Sequence, residues 1–279
     1  MKKLTALLLS LALVCLTVLI AGCSKDGNND TESDTPSTSG DESKETETET
    51  ETETETEAPA ESGADADVKG EGVMTYAEYD AAALDSKVVV ETYVQAKQSW
   101  WDNKATLYTQ DKDGAYFIYN MAVSEDDYAK LTPGTKIKVT GYKSEWAGEV
   151  EITDAEFEIL EGSYIAEPVD VTALLGTDEL IKYQNRLVVF KGLTVEAYDE
   201  NGAAFAYKND TEKTDDLYYK VSLDGKTYDF CVEFYLCGQD TDAYKAVEGL
   251  KVGDKIDVTA YLYWYEGANP HTIAVAAAE

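Results

Sequence analysis

Residues able to do chemistry are few in this chain of 279, and three sets stand out. The only histidine, His271, heads the short terminal run HTIAVAAAE and reads as a surface residue. A Ser-His or Cys-His nucleophile pair has nearly no support from one such histidine. Asp111 and Asp113 in DKDG have the spacing of oxygen ligands, but the run lacks the rest of a calcium loop. Asp-Gly equally makes a hairpin turn. The turn is the reading taken, with no metal and no cofactor expected. The third set is aromatic: Trp100 and Trp101 in QSWWDNK, Tyr108 in ATLYTQ, Tyr116, Phe117 and Tyr119 in AYFIYNM, Trp146 in EWAGE, and Trp264 and Tyr265 in YLYWYEG. Flat rings stack on sugars, on bases or on a partner surface. A competing, purely structural reading has them fill the core and the interface between two units.

These residues need a scaffold, and an internal repeat announces it. LTPGTKIKVTGYKSEW at 131–146 recurs as LKVGDKIDVTAYLYWY at 250–265. The correspondence extends backwards. VVVETYVQA at 88–96 matches LVVFKGLTVEA at 187–197, and DKDGAYF at 111–117 matches SLDGKTYDF at 222–230. Repetition at this scale means two copies of one folding unit. In the first copy β-branched, alternating runs mark strands at VVVETYVQAKQ, ATLYTQ, AYFIYNM, KIKVTGYKSEW and EVEITDAEFEIL. SEDDYAKL between the third and fourth reads as a short helix with Ser124 as its N-cap and acids in its first turn. Thr132-Pro133-Gly134 ends it. Parity within the third strand is undecided, because Tyr116/Ile118 and Phe117/Tyr119/Met121 are both apolar sets.

Three strands, a short helix and two strands, with an Asp-Gly hairpin and the phrase PGTKIKVTGY leading strand four, resemble the OB-fold. The resemblance covers 73–162 well and 168–279 moderately. The second copy departs by insertions at FAYKNDTEKTDD and EFYLCGQDTDAYKAVEG. The fold class expected is therefore all-β with short helices: two tandem OB-fold-like, five-stranded Greek-key barrels after a disordered linker. What the resemblance implies is a ligand face on strands two and three, flanked by the loops that carry Trp100, Trp101 and Trp146. The topology serves many functions and does not by itself name one.

The ends and the charge bound the rest. Lys2 and Lys3 precede an apolar run, LTALLLSLALVCLTVLI, and then Ile20-Ala21-Gly22-Cys23. That pattern is similar to a bacterial lipoprotein signal over 1–22, with Cys23 as the lipidated first residue. Residues 23–72, around ETETETETETETE, are too poor in apolar groups to fold and read as a solvated spacer. Domain 1 is expected at 73–162 and domain 2 at 163–279. Of the net charge of −32, about −20 belongs to 73–279, which disfavours polyanion partners without a local basic patch. Cys231 and Cys237 would lie roughly 20 Å apart in one straight strand, too far for a disulfide, and read as thiols.

The expectation is a non-enzyme, lipid-anchored at the extracellular face of the bacterial cytoplasmic membrane. It would bind a glycan, protein or small molecule through aromatic OB surfaces. One alternative is an extracellular nucleic-acid-binding OB-fold protein; another is a carbohydrate-active enzyme with paired carboxylates.

Overall fold

A computed structural model describes residues 69–209 and 214–278. Cys23, the signal at 1–22 and the spacer up to residue 68 lie outside the described residues.

The first barrel comprises β1 (Lys87–Lys97), β2 (Lys104–Gln110), β3 (Ala115–Ala122), β4 (Thr135–Trp146) and β5 (Glu149–Ser163). Its helices are α1 (Tyr76–Ala81) and α2 (Glu125–Lys130). The strands close in the order β1-β2-β3-β5-β4, with β4 returning to β1 and β3 parallel to β5. Closure needs strongly bent strands, and β-bulges supply the bends. They interrupt the register between Val94 and Ala96, between Ala105 and Leu107, and between Thr140 and Tyr142.

The second bulge decides the parity of β3. Asn120 takes a left-handed φ of 49°, and Leu107 pairs with Ile118 while Ala105 pairs with Met121. Tyr116, Ile118 and Met121 therefore all face the barrel core, Phe117 is buried elsewhere, and Tyr119 is exposed. Neither uniform alternation was right, because the bulge changes face part-way along the strand.

Both short helices before β4 and β1 start on side-chain caps. Ser124 accepts from the Asp127 N–H, and Thr75 and Glu78 form a reciprocal capping box. Gly141 sits where a Cβ would lie 2.6 Å from the Ile152 side chain and 2.7 Å from the Thr153 carbonyl, so glycine is what lets β4 and β5 approach there. At the corresponding position of the second barrel Ala260 is accommodated.

The second barrel uses β7 (Leu187–Glu196), β9 (Leu217–Leu223), β10 (Lys226–Val232), β11 (Lys255–Tyr261) and β12 (His271–Ala277). The pairings β7–β11, β11–β12, β12–β10, β10–β9 and β9–β7 complete a ring with the same cyclic order, and β10 runs parallel to β12 as β3 does to β5. Both barrels thus have OB-fold topology. β6 (Val169–Asp170) lies beside β7, and β8 (Phe205–Tyr207), made from the first insertion, lies beside β9. The second insertion forms a turn and then α3 (Asp242–Glu248), which buries Ala243, Tyr244 and Val247. β10 ends at Val232, so Cys231 and Cys237 do not share a strand. The straight-strand premise fails, while both thiols are free and buried.

Each barrel has its own apolar core, and a third cluster joins them: Tyr108 and Phe117 from the first, Leu187 and Tyr261 from the second. Polar contacts reinforce this joint. Gln110 Oε1 accepts from the Leu187 N–H (2.8 Å), Asn185 Nδ2 donates to the Val150 carbonyl (3.0 Å), and Glu149 Oε2 accepts from the Trp264 N–H (2.9 Å). Among the described residues, no helix is long and apolar enough to cross a membrane.

A candidate ligand-binding cleft between the barrels

Beside the joint the barrels leave a cleft of about 740 Å³. One wall comes from β2, β3 and the turn before β2. Trp101 sits at the base of a two-residue hairpin whose central Asp102 and Asn103 have φ of 49° and 57°, the left-handed pair that such a tight turn requires. Reciprocal backbone hydrogen bonds between Trp101 and Lys104 close it, so the Trp101 ring projects from a rigid base. Trp101 is 73% exposed. Tyr119 and Asn120 follow on β3, and Trp146 ends β4.

The facing wall belongs to the second barrel. Tyr235, 62% exposed, rides on the turn after β10. The Ser99 N–H donates to the Tyr235 carbonyl at 2.8 Å, tying this turn to the loop that carries Trp101. Tyr265 meets Trp146 across the barrels, with ring centroids 5.1 Å apart.

Two carboxylates, Asp216 and Glu233, shape that wall. Asp216 accepts from the Phe234 N–H and from Lys208 Nζ (3.0 Å), and Glu233 accepts from the Leu236 N–H (2.7 Å). Both therefore hold the turn that presents Tyr235. Burial, and then the neighbouring Asp216 charge, push the Glu233 carboxyl up to about 7.

His271 lies on the cleft floor and corrects the expectation of a surface histidine. It is only 5% exposed, stacks on Tyr263 with centroids 4.3 Å apart, and meets the Tyr108 hydroxyl at 2.6 Å through Nδ1. Burial lowers its pKa to about 3, so the ring is neutral near pH 7. The Tyr108 oxygen also accepts from Gln98 Nε2. The role is structural: His271 pins the first barrel's β2 to the second barrel's β12.

The nine aromatic candidates divide. Trp101, Phe117, Tyr119, Trp146 and Tyr265 come together at the cleft. Tyr108 is consumed in the joint. Tyr116 is inside the first barrel, edge-on to Tyr79 at 4.9 Å. Trp100 turns back, donating from Nε1 to the Val123 carbonyl (3.0 Å) and packing on the first core. Trp264 points to a separate depression with Tyr228 and Phe230. Sequence reasoning missed Tyr235, Glu233 and Asp216, which lie in or beside the insertions, where no repeat partner marks them.

Asp111 and Asp113 form a turn. Asp111 Oδ1 accepts from the N–H groups of Asp113 and Gly114, and Oδ2 pairs with Lys69 and accepts from the Tyr116 hydroxyl. Gly114 does not have positive φ. A Cβ there would lie 1.9 Å from the Tyr76 ring, so the glycine makes room for that ring.

No protein-family model matches the chain, and no curated protein matches it. Solved structures similar to it include a murine DNA-binding protein bound with double-stranded DNA, at 12% identity over 67% of this chain and 93% of that one, with a TM-score of 0.30. Another is the Ifi202 HINa domain in complex with double-stranded DNA, at 10% identity, 71% and 98% coverage, and a TM-score of 0.31. A third is a deletion mutant of the single-stranded DNA binding protein from Thermus aquaticus, at 14% identity, 68% and 93% coverage, and a TM-score of 0.22. Likenesses this loose carry no functional argument, and the topology stands on the strand pairings.

Proposed function

We propose that the protein is a non-catalytic binding module, held at the outer face of the cytoplasmic membrane by lipid on Cys23, that captures its ligand in the cleft between its barrels. One observation carries the binding reading. Six large aromatic side chains among the described residues are exposed, and five of them (Trp101, Tyr119, Trp146, Tyr235 and Tyr265) line this one cleft. Exposed rings gathered in a concavity are characteristic of ligand sites. The lipid anchor rests on the Ile20-Ala21-Gly22-Cys23 pattern. The non-catalytic part rests on the engagement of Asp216 and Glu233 with backbone N–H groups of one turn.

A second reading, nucleic-acid binding, draws on the same rings, since exposed aromatics on an OB face stack bases without regard to sequence. Lys104 at the cleft mouth is the cation that favours it.

Titration of the full-length chain with neutral oligosaccharides and with a single-stranded thymidine oligonucleotide, followed by tryptophan fluorescence, tests the cleft. Whichever probe binds, the Trp101→Ala/Tyr235→Ala pair should weaken it by roughly 100-fold, as loss of two anchoring rings does, with an unchanged melting temperature. Undiminished binding by the double variant would place the site elsewhere. For the anchor, Cys23→Ser should move the chain from the membrane fraction to the soluble one, and continued membrane retention would rule lipidation out.

A further inference from the structure

The walls of the cleft narrow the ligand further, by what they carry and by what they lack. Their charged side chains are Lys104, Lys208, Asp216 and Glu233, and Lys208 is already paired with Asp216. The lining therefore has no cationic surplus. Behind it, Glu149 and Glu151 on β5 are buried and supply no cation either. A nucleic-acid strand brings one phosphate per nucleotide and draws most of its affinity from lysine and arginine. Here it would meet balanced charge at the cleft and, over the whole chain, a strongly acidic protein.

The polar groups offered instead are amides and a carboxyl. Asn120 and Asn269 line the cleft, and their side-chain amides have no partner among the described residues. Glu233 uses part of its acceptor capacity on its turn, and a carboxylate has about four lone-pair sites. Rings that supply flat apolar faces, with amides and a carboxyl that supply donors and acceptors at their edges, match a molecule having apolar C–H faces and hydroxyl rims.

We propose that the cleft binds a neutral oligosaccharide. Trp101 and Tyr235 form one stacking group and Trp146 with Tyr265 the other, while Asn120, Asn269 and Glu233 hydrogen-bond hydroxyls. The inference rests on the cleft being the ligand site. It deepens that reading by naming a class without formal charge, for which the two ring groups are successive platforms. The joint beside the cleft, fastened at Tyr108–His271 and Ser99–Tyr235, holds the two groups at a fixed separation.

The test is calorimetric titration of the full-length chain with neutral oligosaccharides of β-linked glucose, xylose, mannose and N-acetylglucosamine, beside a single-stranded thymidine oligonucleotide, each at ~50 and ~300 mM salt. At least one sugar should bind, with less than about twofold change across that salt range. Trp101→Ala or Tyr235→Ala should weaken it about tenfold or more, and Glu233→Gln by several-fold. The melting temperature of each variant, measured alongside, separates loss of contact from loss of fold. Binding of the oligonucleotide alone, lost in Trp101→Ala and steeply salt-dependent, would overturn the sugar class and leave the cleft as the site. Sugar binding indifferent to both ring variants would overturn the cleft itself. Failure of every sugar in the panel to bind would overturn this inference.

Discussion

The two barrels share one topology but use equivalent positions for opposite ends. Each turns its second hairpin on Asp-Gly. In the second barrel Asp224 and Gly225 both have positive φ, 50° and 78°, and nothing approaches within 4 Å of where a Cβ on Gly225 would sit. That glycine serves the backbone alone. In the first barrel the turn is folded inward, with Asp111 fully buried, bridged to Lys69 and Tyr116, and Gly114 flattened under Tyr76. The two walls of the cleft differ likewise: the first barrel presents Trp101 from a tight hairpin with Tyr119 and Trp146 from strands, and the second presents Tyr235 from an inserted turn that Asp216 and Glu233 shape. Identical sequence signals in two copies of a fold therefore do not mean identical forces.

Paired substitutions put this contrast at risk, beginning with the largest effect. Asp111→Asn leaves the Lys69 ammonium without its buried counter-charge and should cost about 3–5 kcal/mol, whereas Asp224→Asn should stay within about 0.5 kcal/mol; equal losses in denaturant titration would erase the distinction. Gly114→Ala drives a methyl group into the Tyr76 ring and should cost about 3 kcal/mol. Gly225→Ala pays only for its left-handed backbone, about 1 kcal/mol, and the ratio should reverse in no solvent condition.

The joint answers to pH from both sides. Glu149, buried with Oε1 lacking a partner among the described residues, is raised to about 8 by burial. The folded state thus keeps a proton that the unfolded chain, with its ordinary carboxylate value, has released. Stability from this group is full below the unfolded value and drains as pH rises towards 8. Glu149→Gln should flatten that decline, and an unaltered slope in thermal melts would show the carboxyl is not its source. His271, lowered to about 3, acts oppositely: the unfolded chain takes up a proton that the folded state refuses, so stability falls as pH drops from about 6.5 to 3. The smallest effect belongs to the cleft rings. Trp101→Ala should change stability by no more than about 0.5 kcal/mol, and a larger loss would make Trp101 part of the packing.

Much of the fold was legible because its signals were local. The β-branched run of β1 and the alternating Ile137 and Val139 of β4, the Ser124 cap and the Pro133-Gly134 stop each follow from neighbouring residues, and the repeat extended the strand pattern to the second copy. The site was less legible because it depends on contacts distant in sequence. Tyr108 and Phe117 are apolar on the outer face of a barrel strand, which reads equally as ligand platform or as interface; only the second barrel's presence makes them interface. Trp100 and Trp101 are adjacent, yet one packs on a core and the other faces solvent, as Tyr265 does beside Trp264, which turns to a separate depression. His271 gave no sign of burial, since its partners Tyr108 and Tyr263 come from different barrels. Tyr235 sits in an insertion where no repeat constrains it.

The short passage between the barrels has a thermodynamic consequence. β5 runs to Ser163 and β6 begins at Val169, and the few residues between are held where Ala166 donates to Gln95 Oε1 and Tyr164 donates to the Gly134 carbonyl. That strap and the joint both fasten one barrel to the other. On the proposed binding reading, association would avoid the entropic toll of ordering a mobile interface, and the cleft would act as a gauge, admitting molecules by thickness.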